Sequence, residues 1–228
     1  MMNRAPGFRG GLLASLPIVI GYLPIAFSFG VAASNTGLSV IEVGMMSVVM
    51  YAGAAQFLAL ALITSGAPVL VAAFTLMAMN LRHLLYGPSL MKEAGKDASR
   101  KYAWIWAWGL TDEVFGQSLG AMARGQRFSE RYMFGIGLAS YLSWIIGSLI
   151  GALAGGGALE AYPAVNAALH FMLAALFLAL LLSILSRGAL PAIAVAAIAT
   201  VIGTVAVSGT VGILAGMIFG ALAGVLRK

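Results

Sequence analysis

The chain has 228 residues, of which 61% are hydrophobic and only 9% are charged, with a formal net charge of +6 and no cysteine. Soluble domains carry about 25% charged residues, so this composition excludes a soluble fold and predicts a polytopic membrane protein. The basic residues flank apolar runs, which is typical of topology determinants and not of a nucleic-acid surface. Without cysteine the chain offers neither a disulfide framework nor a thiolate.

Apolar stretches, each near the roughly 20 residues that a spanning helix needs, follow one another along the chain. They cover about 11–33, 41–63, 67–87, 102–123, 133–153, 162–185, 189–206 and 210–226. The connections are too short for a separate soluble domain. We therefore expect an all-α integral membrane protein. It would be a helical bundle of about eight (7–8) transmembrane segments, some broken or re-entrant, forming one permease domain over residues 1–228.

The positions of Lys and Arg predict an N-terminus on the inside of the membrane. With eight crossings, however, the loop 92–101 would lie outside although it holds four basic residues. The opposite orientation would expose still more basic residues. A re-entrant segment would reconcile the loops with the rule.

The first two segments carry residues that are unusual inside a membrane helix. Gly21 and Pro24 predict either a kinked packing helix or a discontinuous helix whose freed backbone lines a substrate site. In the second segment, Y-A-G-A-A-Q-F at 51–57 puts the Gln56 amide deep in an apolar run. That amide needs a partner, which is either another helix or a substrate.

The third segment is polar on two faces. Asn80 and His83 share one face, and Arg82 and Tyr86 share nearly the opposite one. Since neither face can meet lipid, we expect protein or water around this helix, which should end at Gly87-Pro88. The alternative for Arg82 and His83 is a position at the membrane interface, with Arg82 extended toward water.

The fourth stretch, 102–123, has Asp112 and Glu113 near its middle. An acidic side chain at a helix centre costs on the order of 2.5–3.5 kcal/mol on insertion scales. We expect one carboxylate to pair with Arg82 and the other to stay free. A carboxyl removed from water can hold a proton near neutral pH. A purely structural ion pair is the alternative.

Small residues in the later segments predict close helix packing. The fifth segment has Ser140, Ser143, Gly147 and Gly151, and the eighth has Gly212, Gly216, Gly220 and Gly224. The glycine stripe could meet this chain, a second copy in a homo-oligomer, or another subunit. In the sixth segment, Asn166 and His170 face together, as a structural pair or as a second protonation site.

The chain contains no H-E-x-x-H, G-x-S-x-G or Walker A motif, so we expect no enzyme, no cofactor and no metal site. Without an ATP-binding loop, transport would run on gradients or on an unseen partner. Intramembrane polar residues with broken helices favour a secondary transporter. The alternatives are a channel or permease for another small solute, and a structural membrane subunit.

Four blocks in order carry a family resemblance. They are G-Y-L-P-I-A-F-S-F-G (21–30), Y-A-G-A-A-Q-F (51–57), N-L-R-H-L-L-Y-G-P-S-L (80–90) and T-D-E-V-F (111–115). The chain resembles the AzlC family of bacterial branched-chain amino acid exporters over its first two-thirds. The resemblance implies a large permease subunit in the bacterial cytoplasmic (inner) membrane, acting with a small AzlD-like subunit. Its expected substrates are leucine, isoleucine, valine and similar apolar amino acids.

The residues and the resemblance together give a hypothesis for the site. The polar positions of the family correspond to Gln56, Asn80, Arg82, His83, Asp112 and Glu113. A zwitterionic substrate would place its ammonium on Asp112 or Glu113 and its carboxylate on Arg82 and Asn80. Gln56 and Tyr51 are also predicted to bind the substrate. The remaining carboxylate, with His83, would couple transport to protons.

Overall fold

A computed structural model describes residues 6–155 and 188–226, together with single positions between 156 and 187. The described part is helical without strands, which confirms the predicted all-α fold. Its helices, in chain order, are α1 (Phe8–Ala14), α2 (Leu16–Asn35), α3 (Val40–Val49), α4 (Gly53–Thr64), α5 (Val69–Asn80), α6 (His83–Ala94), α7 (Ala103–Trp106), a 3-10 turn η1 (Ala107–Gly109), α8 (Asp112–Ala123), α9 (Glu130–Gly155), α10 (Leu190–Ala206) and α11 (Gly209–Val225). The chain divides into a first unit, 1–65 with 76–173, and a second unit, 66–75 with 174–228.

Within the described residues, three stretches of helix are long and apolar enough to cross a membrane. They are Leu16–Asn35, Val69–Ala94 and Glu130–Gly155. The other apolar helices, such as α3 and α4, are shorter. At 1.5 Å per residue, a helix of the length of α3 or α4 covers roughly half of a 30 Å hydrocarbon core.

Helices α2 and α9 form the centre of the first unit and run parallel to each other. Gly11, just before α2, lies against the start of α9 at Gly135, and Gly30 lies against Gly151 near the end of α9. A Cβ at either glycine of the first pair, or at Gly30, would collide with the backbone of the opposite helix. The small residues predicted in the fifth segment, Ser140, Ser143, Gly147 and Gly151, are all buried. The two glycines lie against α2, which confirms their packing role.

Helices α3 and α4 form a hairpin that enters from the Gly155 end of α9 and returns to it. Midway along α3, Gly44 lies against Leu149 of α9. Near the end of α3, the Val48 carbonyl accepts from the hydroxyl of Tyr141 of α9 at 2.8 Å. After the turn at 50–52, helix α4 runs back, because Leu60 packs in one cluster with Ala33 and Ala152. The segment 41–63 is therefore re-entrant and not a crossing.

A second hairpin, made by α7, η1 and α8, enters from the opposite end of α9. The Glu130 carboxylate accepts from the Tyr102 amide at 2.9 Å and from the Trp106 indole at 3.2 Å, which fixes the entry beside the start of α9. Gly109 then contacts Gly137 further along α9. Helix α8 returns to the Glu130 end, since only 124–129 separate it from α9. The stretch 102–123 is also re-entrant.

This arrangement corrects two sequence predictions and decides between the two alternatives for Gly21 to Pro24 in favour of a continuous packing helix. Asp112 and Glu113 do not lie mid-helix; they begin α8, because the chain breaks at Leu110 and Thr111. The helix does not end at Gly87-Pro88, since α6 runs through Pro88 to Ala94. No discontinuity occurs at Gly21 to Pro24: α2 continues through Pro24, which removes only one backbone hydrogen bond.

The second hairpin also resolves the conflict between the predicted outside position of the basic loop 92–101 and the positive-inside rule. Ser99 donates to the Glu130 carboxylate at 2.9 Å, so the loop 92–101 lies beside the start of α9. Arg124 and Arg127 shortly precede Glu130 in the chain, and Arg131 follows it directly. The basic residues of both loops therefore share one end, which the positive-inside rule assigns to the cytoplasm.

We expect cysteines at position 35 and position 65 to be labelled from the outside and a cysteine at position 97 from the inside. The variants are Asn35→Cys, Ser65→Cys and Asp97→Cys, all at exposed positions in a chain without native cysteine. The measurement is reaction with a membrane-impermeant maleimide on intact cells and on inverted vesicles. If 41–63 crossed the membrane, positions 35 and 65 would instead react from opposite sides.

In the second unit, α10 and α11 pack through the glycine stripe of the eighth segment. Gly212 and Gly216 lie against Thr200, and Gly220 lies against Ala196. The stripe thus meets a helix of its own chain, which confirms its packing role. Asn166 and His170 lie outside the described residues.

Candidate functional site

An open cavity of about 550 Å³ lies where the broken segments of the first unit meet. Its volume is within the range of small-molecule sites, about 300–1,000 Å³. Each break contributes to the wall: Val49, Met50, Tyr51 and Ala52 come from the tip of the first hairpin, Asn80, His83, Leu84, Gly87 and Pro88 from the α5–α6 region, and Trp104, Ala107, Trp108 and Leu110 from the second hairpin.

The wall is mostly aliphatic and aromatic, with few polar groups. Asn80 and His83 lie at the α5–α6 break, where the amides of Leu84 and Leu85 bond to carbonyls three residues earlier. Such a tight turn inside a helix is often a hinge. The His83 Nδ1 lies 3.2 Å from the Asn80 carbonyl oxygen.

Beside the cavity, Arg82 and Asp112 form an ion pair. The Arg82 Nη2 lies 2.8 Å from the Asp112 Oδ2, with side chains 41% and 25% exposed. The Tyr86 hydroxyl donates to the other Asp112 oxygen, and its ring stacks on Phe115. The predicted pairing of Arg82 with one carboxylate is thus present, and it anchors α6 to α8.

Glu113 has different hydrogen-bond partners from Asp112. Its Oε2 accepts from the Tyr22 hydroxyl at 2.5 Å, and the same hydroxyl lies 2.6 Å from the Thr111 Oγ1. Thr111 also caps α8 by accepting from the Val114 amide at 3.3 Å. Within the described part of the chain Glu113 pairs with no cation, as predicted, but it does accept a hydrogen bond.

The helix start explains how two adjacent carboxylates are tolerated inside the protein. The first turn of a helix presents unpaired amides and the positive pole of the macrodipole, which favour acidic side chains. Thr111, Asp112 and Glu113 form the cap and first turn of α8. Tyr22, their partner on α2, packs edge-on to Trp144. Trp144 lies roughly 21 Å from Glu130 along α9, near the middle of that helix.

Gln56 lies in a separate buried network. Its Oε1 accepts from the Trp144 indole at 2.6 Å, and its amide donates to the Ser47 hydroxyl at 3.2 Å. The Trp144 ring in turn leaves no space for a Cβ at Gly53. Gln56 thus ties both hairpin helices to α9, and its predicted contact with substrate stays a prediction.

The structure brings the predicted residues to one region in three groups. Tyr51, Asn80 and His83 line the cavity, Arg82 with Asp112 and Glu113 lie beside it, and Gln56 is fully buried. The Tyr51 hydroxyl is buried without a hydrogen bond of ordinary geometry to the described part of the chain.

The sequence did not reveal several residues of the hydrogen-bond networks around the predicted site: Tyr22, Ser47, Tyr86, Thr111 and Trp144. Only Thr111 had a readable signal, because a threonine before two acidic residues is typical of a helix cap. Among the described residues, no three His, Asp or Glu side chains lie close enough to hold a metal ion.

Comparison with known proteins agrees with this architecture. The family described as AzlC protein matches residues 17–157. The chain is 42% identical over 227 residues to "Inner membrane protein YgaZ" of Escherichia coli (strain K12), covering 98% of this chain and 93% of that protein. It is 38% identical to an "Uncharacterized membrane protein" of Archaeoglobus fulgidus, covering 79% of this chain and 77% of that protein.

A further relative carries a functional name. "Branched-chain amino acid transport protein AzlC" of Bacillus subtilis (strain 168) is 28% identical over 172 residues, covering 75% of this chain and 65% of that protein. No solved structure matches the chain. The names of the relatives and the apolar helices confirm the predicted inner-membrane, multi-pass location. The chain belongs to the AzlC family.

Proposed function

We propose that the whole chain is one permease, the large subunit of a secondary transporter. It exports branched-chain and similar apolar amino acids across the cytoplasmic membrane, is coupled to protons, and acts with a small AzlD-like subunit. The name of the Bacillus subtilis relative supports the substrate class. The observation that carries the proposal is the apolar cavity beside an ion pair at the tips of two opposed hairpins.

The cavity and its neighbours have the chemistry that a zwitterion with an apolar side chain needs. Asp112 or Glu113 would take the ammonium, and Arg82 with Asn80 would take the carboxylate. The amides at the start of α4, from Gly53 onward, would add hydrogen bonds, as helix N-termini do for anions. The apolar wall would hold the branched side chain.

The two hairpins suggest how access alternates. One enters from the Gly155 end of α9 and the other from the Glu130 end, and both tips line the cavity. Transporters with broken helices of opposite orientation commonly bind substrate at the midplane and open one side at a time. Movement of each hairpin would open the cavity to its own side.

Two other functions would use the same features. A channel would pass substrate through the open cavity without saturation, and a structural subunit would pass none. The Arg82–Asp112 pair beside the cavity favours a transporter, because it offers partners for both charges of one zwitterion.

The test is efflux of radiolabelled leucine and valine from proteoliposomes, with the protein alone and with the small partner. We expect saturable efflux that an imposed pH gradient accelerates. Unsaturable flux would identify a channel. Absence of flux in both preparations would contradict the proposed function.

A further inference from the structure

The two neighbouring carboxylates have different electrostatic surroundings. Asp112 is paired with the permanent cation of Arg82 and accepts a further hydrogen bond from Tyr86. A guanidinium stays charged in proteins and favours the ionised form of a carboxylate beside it. The Arg82 guanidinium is therefore the fixed cationic partner of Asp112.

Glu113 has no cationic partner within the described residues. The titratable groups that face it are Tyr22 from α2, Tyr51 from the tip of the first hairpin, and His83 and Tyr86 from α6. The tyrosines are neutral, and His83 is the only one of these groups whose protonated form is a cation. Asp112, the other charged residue beside Glu113 at the start of α8, forms its ion pair with Arg82.

The Tyr22 hydroxyl lies within hydrogen-bond distance of two oxygens, one on Glu113 at 2.5 Å and one on Thr111 at 2.6 Å. A hydroxyl has a single proton to donate. When Glu113 is ionised, Tyr22 donates to it and Thr111 donates to Tyr22. When Glu113 is protonated, it donates to Tyr22 and Tyr22 donates to Thr111. The contacts among the Glu113 Oε2, the Tyr22 hydroxyl and the Thr111 hydroxyl can thus be kept in both protonation states of Glu113.

We propose that the carboxylates have separate roles, with Glu113 binding and releasing the coupled proton and Asp112 remaining ionised for the substrate ammonium. This rests on the proposed function and deepens it, since proton coupling needs a group that changes charge, and a second carboxylate that stays ionised would let proton and substrate bind at separate groups. The Tyr22–Glu113 and Tyr22–Thr111 hydrogen bonds both reverse direction as Glu113 changes charge.

The first test compares two transport modes in the same proteoliposomes. One is efflux of leucine with and without a pH gradient, and the other is counterflow of labelled against unlabelled leucine at equal pH. In Glu113→Gln we expect counterflow to remain measurable while the gradient no longer changes efflux. In Asp112→Asn we expect both modes to fall at least about tenfold. Glu93→Gln, at an exposed glutamate, is the control and should behave as wild type.

The outcomes separate the inference from the proposed function. Wild-type protein that transports, combined with Glu113→Gln that still responds to the gradient, overturns the inference alone. Wild-type protein that fails in both modes contradicts the proposed function itself.

A second test uses wild-type protein and does not depend on the folding of a variant. An apolar carbodiimide adds to protonated carboxyls in apolar surroundings and leaves an N-acylurea that peptide mass spectrometry locates. We expect modification at Glu113, less of it at higher pH, and none at Asp112. Modification of Asp112 in preference to Glu113 would overturn the separation of roles.

Discussion

Replacing Arg82 by alanine is expected to raise the KM for leucine efflux on the order of 10- to 100-fold, because a hydrogen bond to a charged group contributes about 1.5–3 kcal/mol. Asp112 would keep only its Tyr86 partner, and the substrate carboxylate would lose its cation. Both side chains of the pair are partly exposed. The loss of folding stability should therefore stay below about 1 kcal/mol.

The matched control is Arg127→Ala. Arg127 is an exposed arginine at the Glu130 end of the first unit, away from the cavity wall. Its KM for leucine should equal that of wild type. If both variants lower efflux equally, net positive charge and not the ion pair would matter. If Arg82→Ala unfolds the protein, the pair would be mainly structural.

The second large effect is expected at Gly30, where α2 meets α9. A Cβ there would collide with backbone atoms of Ser148, Gly151 and Ala152, which cannot move aside as a side chain can. Gly30→Ala should destabilise the protein by about 1–3 kcal/mol or more, the typical effect of overpacking. Thermal unfolding in detergent measures the change.

Gly21 in the same helix provides the control. Nothing lies within 4 Å of a Cβ at that position, and the residue is exposed. Gly21→Ala should leave stability unchanged or raise it by up to about 1 kcal/mol, since alanine favours helix. Equal stability of the two variants would contradict the parallel packing of α2 on α9.

Charge and small-residue patterns predicted the contacts well. An arginine and two carboxylates inside apolar runs predicted an ion pair, because neither sign is stable alone in a membrane. The pair formed between Arg82 and Asp112. Glycine spacing likewise predicted the packing of α11, because four-residue steps put the glycines on one face.

Chain direction was harder to predict. A hydropathy window gives the same result for a crossing and for a re-entrant hairpin of equal composition, so the sequence predicts crossings for 41–63 and 102–123. The difference lies in long-range contacts, such as Glu130 with Tyr102 and Trp106. The partnership of Tyr22 with Glu113 depends on the register of α2 against α8, which local sequence does not encode.

The central claim is that the cavity between the hairpin tips binds an apolar amino acid through both of its charges. The most direct test is competition against labelled leucine bound to the purified protein, alone and with the proposed small partner. Valine should compete, whereas leucinamide, which lacks the carboxylate, and 4-methylpentanoate, which lacks the ammonium, should compete at least about tenfold less well. Equal competition by either stripped analogue, or no saturable leucine binding in either preparation, would contradict the account.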